Sequence, residues 1–450
     1  MATLLILLLV SAPDPLPRRA MLGVGTAPGD GDGVVVKTVF DDTSASKLGI
    51  ETGDVILSVD GKPTPTGPEL VAAARSLRSG QPLTVELRRH GQRLTLTGRA
   101  LGRPAEQWAG STVSYESVGF RGGRLRSIMV KPRGVRRPPV VFFVQGYTCA
   151  SVEWLRPHGI YRQLFDPIVA AGFALYRVEK LGVGDSQTSE NCKAADFGTE
   201  QAAFEAAYAD MFERSDIDRG NVFVFGHSMG GVVAPLLASH VRAPRGVAVY
   251  GTVLRPWDQY LIDIVRVQPV IVSGSDPVSA ARRANAIYDS LRDYLLRDVD
   301  PNLLIARSPD LKSHWREAWG FEGGAQLIGR DHGFWQGLAK VDLTTAWHQT
   351  KAPVLVMYGE SDVAAIDDKD HRMIARVVNL ARPGSGQYVA FPETDHGFAR
   401  VGDEATHRKH RADGSLDNLT QTLNPDVRRA LLSWLETQVQ ARSPARRGSR

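Results

Sequence analysis

The stretch Val222-Phe223-Val224-Phe225-Gly226-His227-Ser228-Met229-Gly230-Gly231 decides the fold. Its first four residues are β-branched or aromatic, an apolar run of strand formers. The continuation Val232-Val233-Ala234-Pro235-Leu236-Leu237-Ala238 reads as a buried helix. Between them lies Gly226-x-Ser228-x-Gly230. Glycine makes up 44 of the 450 residues, so the bare pattern arises easily by chance. The strand before it and the helix after it give it weight, because strand, sharp turn and helix are the context a nucleophile elbow needs. In so tight a turn the serine backbone is strained, and side chains two positions to either side would collide. Gly226 and Gly230 are therefore expected there on steric grounds. Ser228 is expected at the strand's carboxyl end, above the first amides of the helix.

A serine hydroxyl is a weak nucleophile unless a base takes its proton and a third group orients that base. Two later loops offer candidates. The apolar run Pro353-Val354-Leu355-Val356-Met357-Tyr358-Gly359 reads as a strand and leads into Glu360-Ser361-Asp362. The strand-like segment ending Val389-Ala390-Phe391 leads into Pro392-Glu393-Thr394-Asp395-His396-Gly397-Phe398. Asp362 and His396 are thus expected at the same sheet edge as Ser228. Asp367, Asp368 and Asp370 are alternatives to Asp362, but they sit at a helix start, where acidic residues stabilise the helix anyway. Asp395 reads as a loop residue.

The order Ser228, Asp362, His396 resembles that of α/β-hydrolases, and the resemblance covers about residues 112 to 440. It implies Ser228 as nucleophile, His396 as general base and then acid, and Asp362 as the orienting carboxylate. It also implies an oxyanion hole made by two backbone amides. One belongs to the residue after the nucleophile, Met229. The other lies in the loop after Val140-Val141-Phe142-Phe143-Val144, where the family often carries His-Gly and this chain carries Gln145-Gly146-Tyr147. Tyr147 is the expected second donor, with Thr148 as the alternative. Strands and helices alternate through this region: a hairpin of 112–118 and 125–130 turning at Gly122-Gly123, strands at 140–144, 173–178 and 246–253, and helices at 161–171, 199–214, 368–379 and 427–439. That alternation implies an α/β fold with a mostly parallel sheet. It lapses between about 254 and 350, a helical segment holding Trp257, Trp315, Trp319, Trp335 and Trp347, read as a cap. His332 in this segment reads as structural. Glu153-Trp154 reads as a packed tryptophan beside a surface carboxylate, with an acyl-site role as the alternative.

Residues 21–101 read as a small β-rich domain, with strands at 33–39, 54–59, 82–88 and 93–97 and helices at 45–50 and from Pro68 to Leu77. The run Ser44-Ala45-Ser46-Lys47-Leu48-Gly49-Ile50-Glu51-Thr52-Gly53-Asp54-Val55-Ile56-Leu57-Ser58-Val59-Asp60-Gly61-Lys62 resembles the signature of a bacterial PDZ domain. Such domains bind a polypeptide carboxyl end by adding a strand to a sheet edge. The resemblance maps the carboxylate-binding loop onto Leu22, Gly23 and Val24, with Arg18 and Arg19 adding positive charge. A spacer domain that keeps the fold without the ligand is the alternative. Gly23-Val24-Gly25 lacks the third glycine and following helix of a dinucleotide site.

The first twenty residues read as a leader. Leu4 to Val10 is an apolar run too short to span a bilayer, and Val10-Ser11-Ala12 is a passable cleavage site. No Lys or Arg precedes the run and Pro13 follows it; a start further upstream would supply the charged region. The expected location is periplasmic or secreted. In that setting the two cysteines, Cys149 and Cys192, are expected to pair beside the oxyanion loop, two free thiols being the alternative. Two cysteines form no zinc spacing, and no metal or organic cofactor is implied. The formal net charge of +5 gathers in the tail at 441–450, which reads as a solvated end rather than a nucleic-acid arm. The expectation is a serine hydrolase with no nucleic-acid partner and no integral membrane span. Its first-choice substrate is a small carboxylic ester and its second a peptide. A peptide-binding protein on a hydrolase fold without turnover is the reading from another class.

Overall fold

The computed structural model describes residues 16–28 and 31–441. The apolar leader run, its cleavage site and residues 442–450 of the tail lie outside them. The described chain divides into two compact units, up to Glu106 and from Gln107 onward. The expected leader boundary at residue 20 moves, because Leu16 is buried and the Ala20 amide donates to Leu77 O within the first unit. Residues 102–110 are shared out between the two units: Arg103 N donates to Arg19 O in the first, while Trp108 is buried against Trp154 in the second.

Among the described residues the first unit runs β1 (Val24–Pro28), β2 (Val34–Val39), α1 (Ser44–Leu48), β3 (Val55–Val59), β4 (Lys62–Pro63), α2 (Gly67–Ser76), β5 (Pro82–Arg89) and β6 (Gln92–Arg99). The antiparallel sheet has the order β1-β2-β3-β5-β6, with β4 folded onto β3. Local chemistry accounts for the boundaries. Thr43 and Ser46 form a capping box at the start of α1, and Gly49 ends it in the left-handed conformation. Asp60 and Gly61 both have positive φ, as the two-residue hairpin between β3 and β4 demands. Inward residues Val34, Val36, Ile56, Val59, Val85 and Leu87 build the core with Leu70 and Ala73 of α2.

The second unit begins with β7 (Ser111–Phe120) and β8 (Gly123–Pro132). Their turn is Arg121-Gly122, both at positive φ, one residue earlier than expected, because Gly123 pairs with Phe120 as the first residue of β8. Then follow β9 (Val140–Val144), α3 (Ile160–Ala170), β10 (Ala174–Val178), α4 (Phe197–Glu213), β11 (Val222–His227), α5 (Gly230–His240) and β12 (Gly246–Tyr250). After them come α6 (Trp257–Arg266), α7 (Gln268–Ser273), α8 (Pro277–Arg297), α9 (Pro301–Ile305), α10 (Pro309–Trp319), β13 (Gln326–Leu327), β14 (Arg330–Asp331), α11 (His332–Ala339) and α12 (Leu343–Gln349). The chain closes with β15 (Val354–Gly359), α13 (Lys369–Ala381), β16 (Gly386–Phe391), α14 (Glu404–Asp413), α15 (Leu416–Leu419) and α16 (Pro425–Gln440).

The large sheet has the order β16-β15-β12-β11-β9-β10-β8-β7, parallel from β16 to β10 and antiparallel through β8 and β7. Strands β9, β10, β11 and β12 are buried at every position, as a parallel sheet covered on both faces requires. Alternate side chains enter different cores. Phe142, Val222 and Val224 join the core beneath α4 and α5, whereas Phe143, Phe223 and Phe225 join the one beneath α3 and α16.

The expected cap at 254–350 is narrower at its end and less uniform. Helix α12 packs on α5 and α13, which flank the sheet, so it belongs to the sheet layer. Helix α14, outside the expected range, packs on α7, and Arg408 donates to Val270 O. A two-stranded hairpin, β13–β14, interrupts the helices. Of the five tryptophans, Trp315 is sunk in the helical core with its indole N–H on Ser290, and Trp347 is buried on α12. No helix of the described residues is long and apolar enough to cross a membrane.

Candidate active site

Ser228 follows β11 at φ +56, the strained left-handed conformation that its turn imposes. Its amide donates to Tyr250 O, 2.9 Å away. The two glycines are forced by contact. A Cβ on Gly226 would stand 2.4 Å from Gly230 O, and one on Gly230 would stand 2.0 Å from Val144 O. Neither obstacle is a side chain that could turn away.

Asp362 follows β15 and His396 follows β16, at the same edge of the sheet. His396 Nδ1 lies 2.8 Å from Asp362 Oδ2, and the other carboxylate oxygen accepts the amides of Ala364 and Ala365 at 2.9 and 2.8 Å. Desolvation opposes the charge on Asp362, but His396 and these amides outweigh it and hold its pKa below the ordinary value. Desolvation likewise opposes protonation of His396, and Asp362 outweighs it, so the imidazole pKa lies above the ordinary value. Gly251, at the end of β12, makes room for the pair: a Cβ there would stand 2.8 Å from both Asp362 Oδ2 and His396 Nδ1. The other carboxylates are engaged elsewhere. Asp367 and Asp370 bind Arg255, Asp368 binds Arg372, and Asp395 accepts the Ala399 amide.

Two further histidines back this pair, neither of them expected from sequence. His227 Nε2 lies 2.8 Å from His396 O and its Nδ1 lies 2.8 Å from the Tyr161 hydroxyl. A carbonyl can only accept, so Nε2 carries the proton and Nδ1 accepts from Tyr161. Burial, reinforced by the neighbouring His396, pushes the His227 pKa down to about 3. His371 accepts the Thr252 amide at 3.1 Å, and burial pushes its pKa down to about 4.

The loop after β9 carries the expected oxyanion donor. Among the described residues the amides of Tyr147 and Met229 carry no hydrogen bond, and Met229 caps the start of α5. Gly146 lies against Ser228, a Cβ on it falling 3.1 Å from Ser228 Cβ. Gln145 is buried, with its side-chain nitrogen unpartnered. Residues at the end of β10 and just after it hold this loop from behind. Arg177 donates to Val152 O, Glu179 accepts from the Val152 amide and the Ser151 hydroxyl, and Lys180 donates to Gly146 O at 2.7 Å. Cys149 and Cys192 form a disulfide with Cα atoms 5.8 Å apart. Lys180 pairs with Glu200, which also binds Arg330 of β14. Burial lowers the Lys180 pKa, and Glu200 acts against that shift.

Ser228, Met229, Tyr147 and His396 share one cavity of about 240 Å³. Its other walls include Val232, Thr252, Val253, Ile328, Trp335 and one face of α6: Trp257, Tyr260, Leu261 and Ile264. Thus Trp257 and Trp335 reach the cavity, and the other cap tryptophans do not. His332 is not on its walls; it bonds the Tyr294 hydroxyl and Gly324 O. Glu153 and Trp154 do not line it either. Trp154 stacks on Tyr161 with centroids 4.9 Å apart, and Glu153, expected at the surface, is buried.

In the first unit, Leu22, Gly23 and Val24 lead into β1, the terminal strand of its sheet, beside α2. Gly23 has φ +82, and a Cβ there would meet Thr43 Cβ at 2.2 Å. The carbonyls of Leu22 and Gly23 accept the amides of Ala45 and Phe40, while the Leu22 and Gly23 amides carry no hydrogen bond among the described residues. Arg18, expected to add charge at this loop, donates instead to Arg103 O and Pro104 O.

Residues 20–97 match the PDZ domain family, and residues 141–406 match the Alpha/beta hydrolase family. A probable periplasmic serine endoprotease, DegP-like, of Pseudomonas fulva is 38% identical over 74 residues, 16% of this chain and 15% of that protein's length. Among solved structures, the acylaminoacyl peptidase of Pyrococcus horikoshii is 13% identical with a TM-score of 0.42, covering 74% of this chain and 45% of that one. This chain therefore spans less than half of that peptidase. An esterase of Rhizomucor miehei is 14% identical with a TM-score of 0.44, covering 75% and 87%. A carboxyl esterase of Bacillus coagulans is 15% identical with a TM-score of 0.44, covering 73% and 99%. With well over half of its residues matched, and behind a PDZ domain, this chain belongs to the Alpha/beta hydrolase family.

Proposed function

We propose that the chain is a serine hydrolase that cleaves carboxylic esters through an acyl-Ser228 intermediate. The observation that carries this reading is the 2.8 Å His396–Asp362 contact in a cavity wall shared with Ser228. Ser228 Oγ attacks the ester carbonyl, and His396 Nε2 takes its proton. Asp362 holds the imidazole in the tautomer that leaves Nε2 free and balances the imidazolium that forms. The oxyanion accepts from the Met229 and Tyr147 amides. His396 returns the proton to the leaving alcohol, then activates the water that releases the acid. Among the described residues Ser228 Oγ has no hydrogen bond, so the mechanism requires the His396 ring to come within reach as substrate binds.

A fluorophosphonate probe tests the reading. The full chain should be labelled at Ser228 and turn over short acyl esters, and Ser228→Ala should lose both. An unlabelled Ser228 in folded protein would refute it in favour of a binding protein. Peptide hydrolysis is the second reading, favoured by the PDZ domain and its likeness to part of a DegP-like endoprotease. Comparable turnover of acyl amides and esters would make it the first. In that domain the Leu22-Gly23-Val24 amides would receive a polypeptide carboxylate, and its chain would extend β1. The disulfide and the same partial likeness support a periplasmic or secreted location.

A further inference from the structure

The cavity beside Ser228 carries its own specificity, and the structure assigns it to an uncharged, apolar acyl chain. This deepens the serine-hydrolase reading and rests on it. Helix α6 contributes Trp257, Tyr260, Leu261 and Ile264 at i, i+3, i+4 and i+7, one continuous helical stripe. Three polar tips among the walls are engaged: the Tyr147 hydroxyl donates to Ile328 O, the Tyr260 hydroxyl to Ala364 O at 2.9 Å, and the Trp335 indole N–H to Leu327 O at 2.8 Å. The Trp257 indole N–H and the Thr252 hydroxyl have no hydrogen bond among the described residues, and both are uncharged. Among the described residues, His396 is the one ionisable group there besides those tyrosines. Among the described residues no carboxylate lines the cavity to receive the α-ammonium of an aminoacyl substrate, and burying that cation unpaired is prohibitive. The cavity of about 240 Å³ holds roughly eight methylene-sized groups at ~30 Å³ each, the share of a water in the liquid.

The test is a p-nitrophenyl ester series from acetyl to dodecanoyl on the full chain. It adds the pair hexanoate and 6-aminohexanoate, equal in length but different in charge. kcat/KM should rise roughly fourfold per methylene up to about eight carbons, then level. The aminohexanoate should be cleaved at least a hundredfold more slowly than the hexanoate. Leu261→Trp, or Ile264→Trp should the first not fold, should lower the octanoyl-to-acetyl ratio at least tenfold. A flat length profile, or comparable turnover of the charged ester, would overturn the assignment. If Ser228 labels with fluorophosphonate and the profile is flat, this inference alone fails; if Ser228 does not label, the reading beneath it fails.

A second observation stands apart from the cavity. We infer that Lys180 is a positioning residue that orients and polarises the oxyanion-binding loop. Its side chain is wholly buried, with Nζ 2.7 Å from Gly146 O, 3.4 Å from Tyr147 O and 2.9 Å from Glu200 Oε1. Two carbonyls accept from this nitrogen and a carboxylate oxygen lies 2.9 Å from it, surroundings that stabilise the ammonium over the neutral amine. Arg330 donates to Tyr147 O at 3.1 Å and to Glu200 Oε2 at 2.6 Å. Two cations thus meet one carboxylate, and the uncompensated positive charge lies against the carbonyls of Gly146 and Tyr147. In a trans peptide the C=O and the following N–H point in opposite directions. A cation on Gly146 O therefore turns the Tyr147 N–H to the other side of the loop and strengthens it as a donor to the oxyanion.

Lys180→Met removes the excess charge and leaves the Arg330–Glu200 pair neutral. It should lower kcat roughly 10²–10³-fold, the scale of losing one oxyanion donor, with KM changed less than threefold. The affinity for an alkyl boronic acid, which forms a tetrahedral adduct on serine, should fall by the same factor as kcat. Lys180→Arg should recover part of both. A role in folding alone would lower the melting temperature without that parallel loss. A Lys180→Met enzyme within threefold of wild type in kcat and boronate affinity would overturn the inference. Should it not fold, Arg330→Met is read in the same way, with a smaller loss expected and an unchanged boronate affinity overturning it.

Discussion

Acid should unfold the hydrolase unit through two histidines that the active site keeps neutral. His227 titrates at about 3 and His371 at about 4 in the folded chain, against an ordinary value of 6.5. Below pH 6.5 the unfolded chain therefore binds two protons that the folded chain refuses, and stability falls as pH falls. Each proton contributes a slope of about 1.36 kcal/mol per pH unit. Between pH 7.5 and 5 each histidine costs about 2 kcal/mol, together about 4 kcal/mol, a large part of the ~5–15 kcal/mol typical of a folded protein. His396 offsets this only above pH 6.5. Its pKa is raised, so the stability it adds is complete below 6.5 and fades only at higher pH. Asp210 and Asp395, both raised by burial, take up protons in the folded state and flatten the curve only at its acid end. The measurement is urea unfolding from pH 7.5 to 5, followed by tryptophan fluorescence. All eight tryptophans lie in the second unit, so the signal reports that unit alone. Wild type should show a slope of roughly two protons or more between pH 6 and 5, because burial also lowers the pKa of His407. His371→Gln, whose amide oxygen can still accept from Thr252, should lower that slope by one proton, as should His227→Gln. Wild-type and variant curves that run parallel would refute the assignment of neutral, buried histidines.

Three other outcomes follow from individual contacts. Asp362→Asn should lower kcat about 10⁴-fold, near 5.5 kcal/mol, because an amide favours the wrong histidine tautomer; retention of more than a tenth of the activity in steady-state ester hydrolysis would remove Asp362 from the proposed triad. Replacing both Cys149 and Cys192 with Ala opens a loop closed over 43 positions and should cost roughly 4 kcal/mol by chain entropy, read as a lower urea midpoint in the tryptophan signal. Arg89→Ala strips two 2.8 Å contacts from the buried Asp54 carboxylate, whose pKa desolvation raises but Arg89 and the Glu51 amide hold down. The first unit should lose about 3–5 kcal/mol, seen as faster amide hydrogen exchange in β3 and β5 with the second unit unchanged.

The elements that sequence could supply are those whose signal is local. Ser228, Asp362 and His396 each follow an apolar strand by a few residues, so strand order alone brings them to one edge. The PDZ unit was legible for the same reason: the cap of α1, Gly49 and the Asp60-Gly61 turn are written in adjacent residues. Where two neighbours were equally suited, the pattern could not choose, as at Arg121-Gly122-Gly123, where pairing with Phe120 set the turn. Helix α12 shows the same limit, since its amphipathic pattern does not name the surface it covers. The supporting residues were illegible for a different reason. His227 occupies a position of the elbow that many side chains fit, and its partner carbonyl lies 169 residues away. Lys180, Glu200 and Arg330 carry no local signal, because a lone charged residue is ordinarily solvated. Burial reverses that reading only when all three converge, across 130 residues in the case of Glu200 and Arg330. A buried cation is affordable there only because a carboxylate and two loop carbonyls surround it. The same enclosure that hid these residues from a sequence reading is what aims their charge at the oxyanion loop.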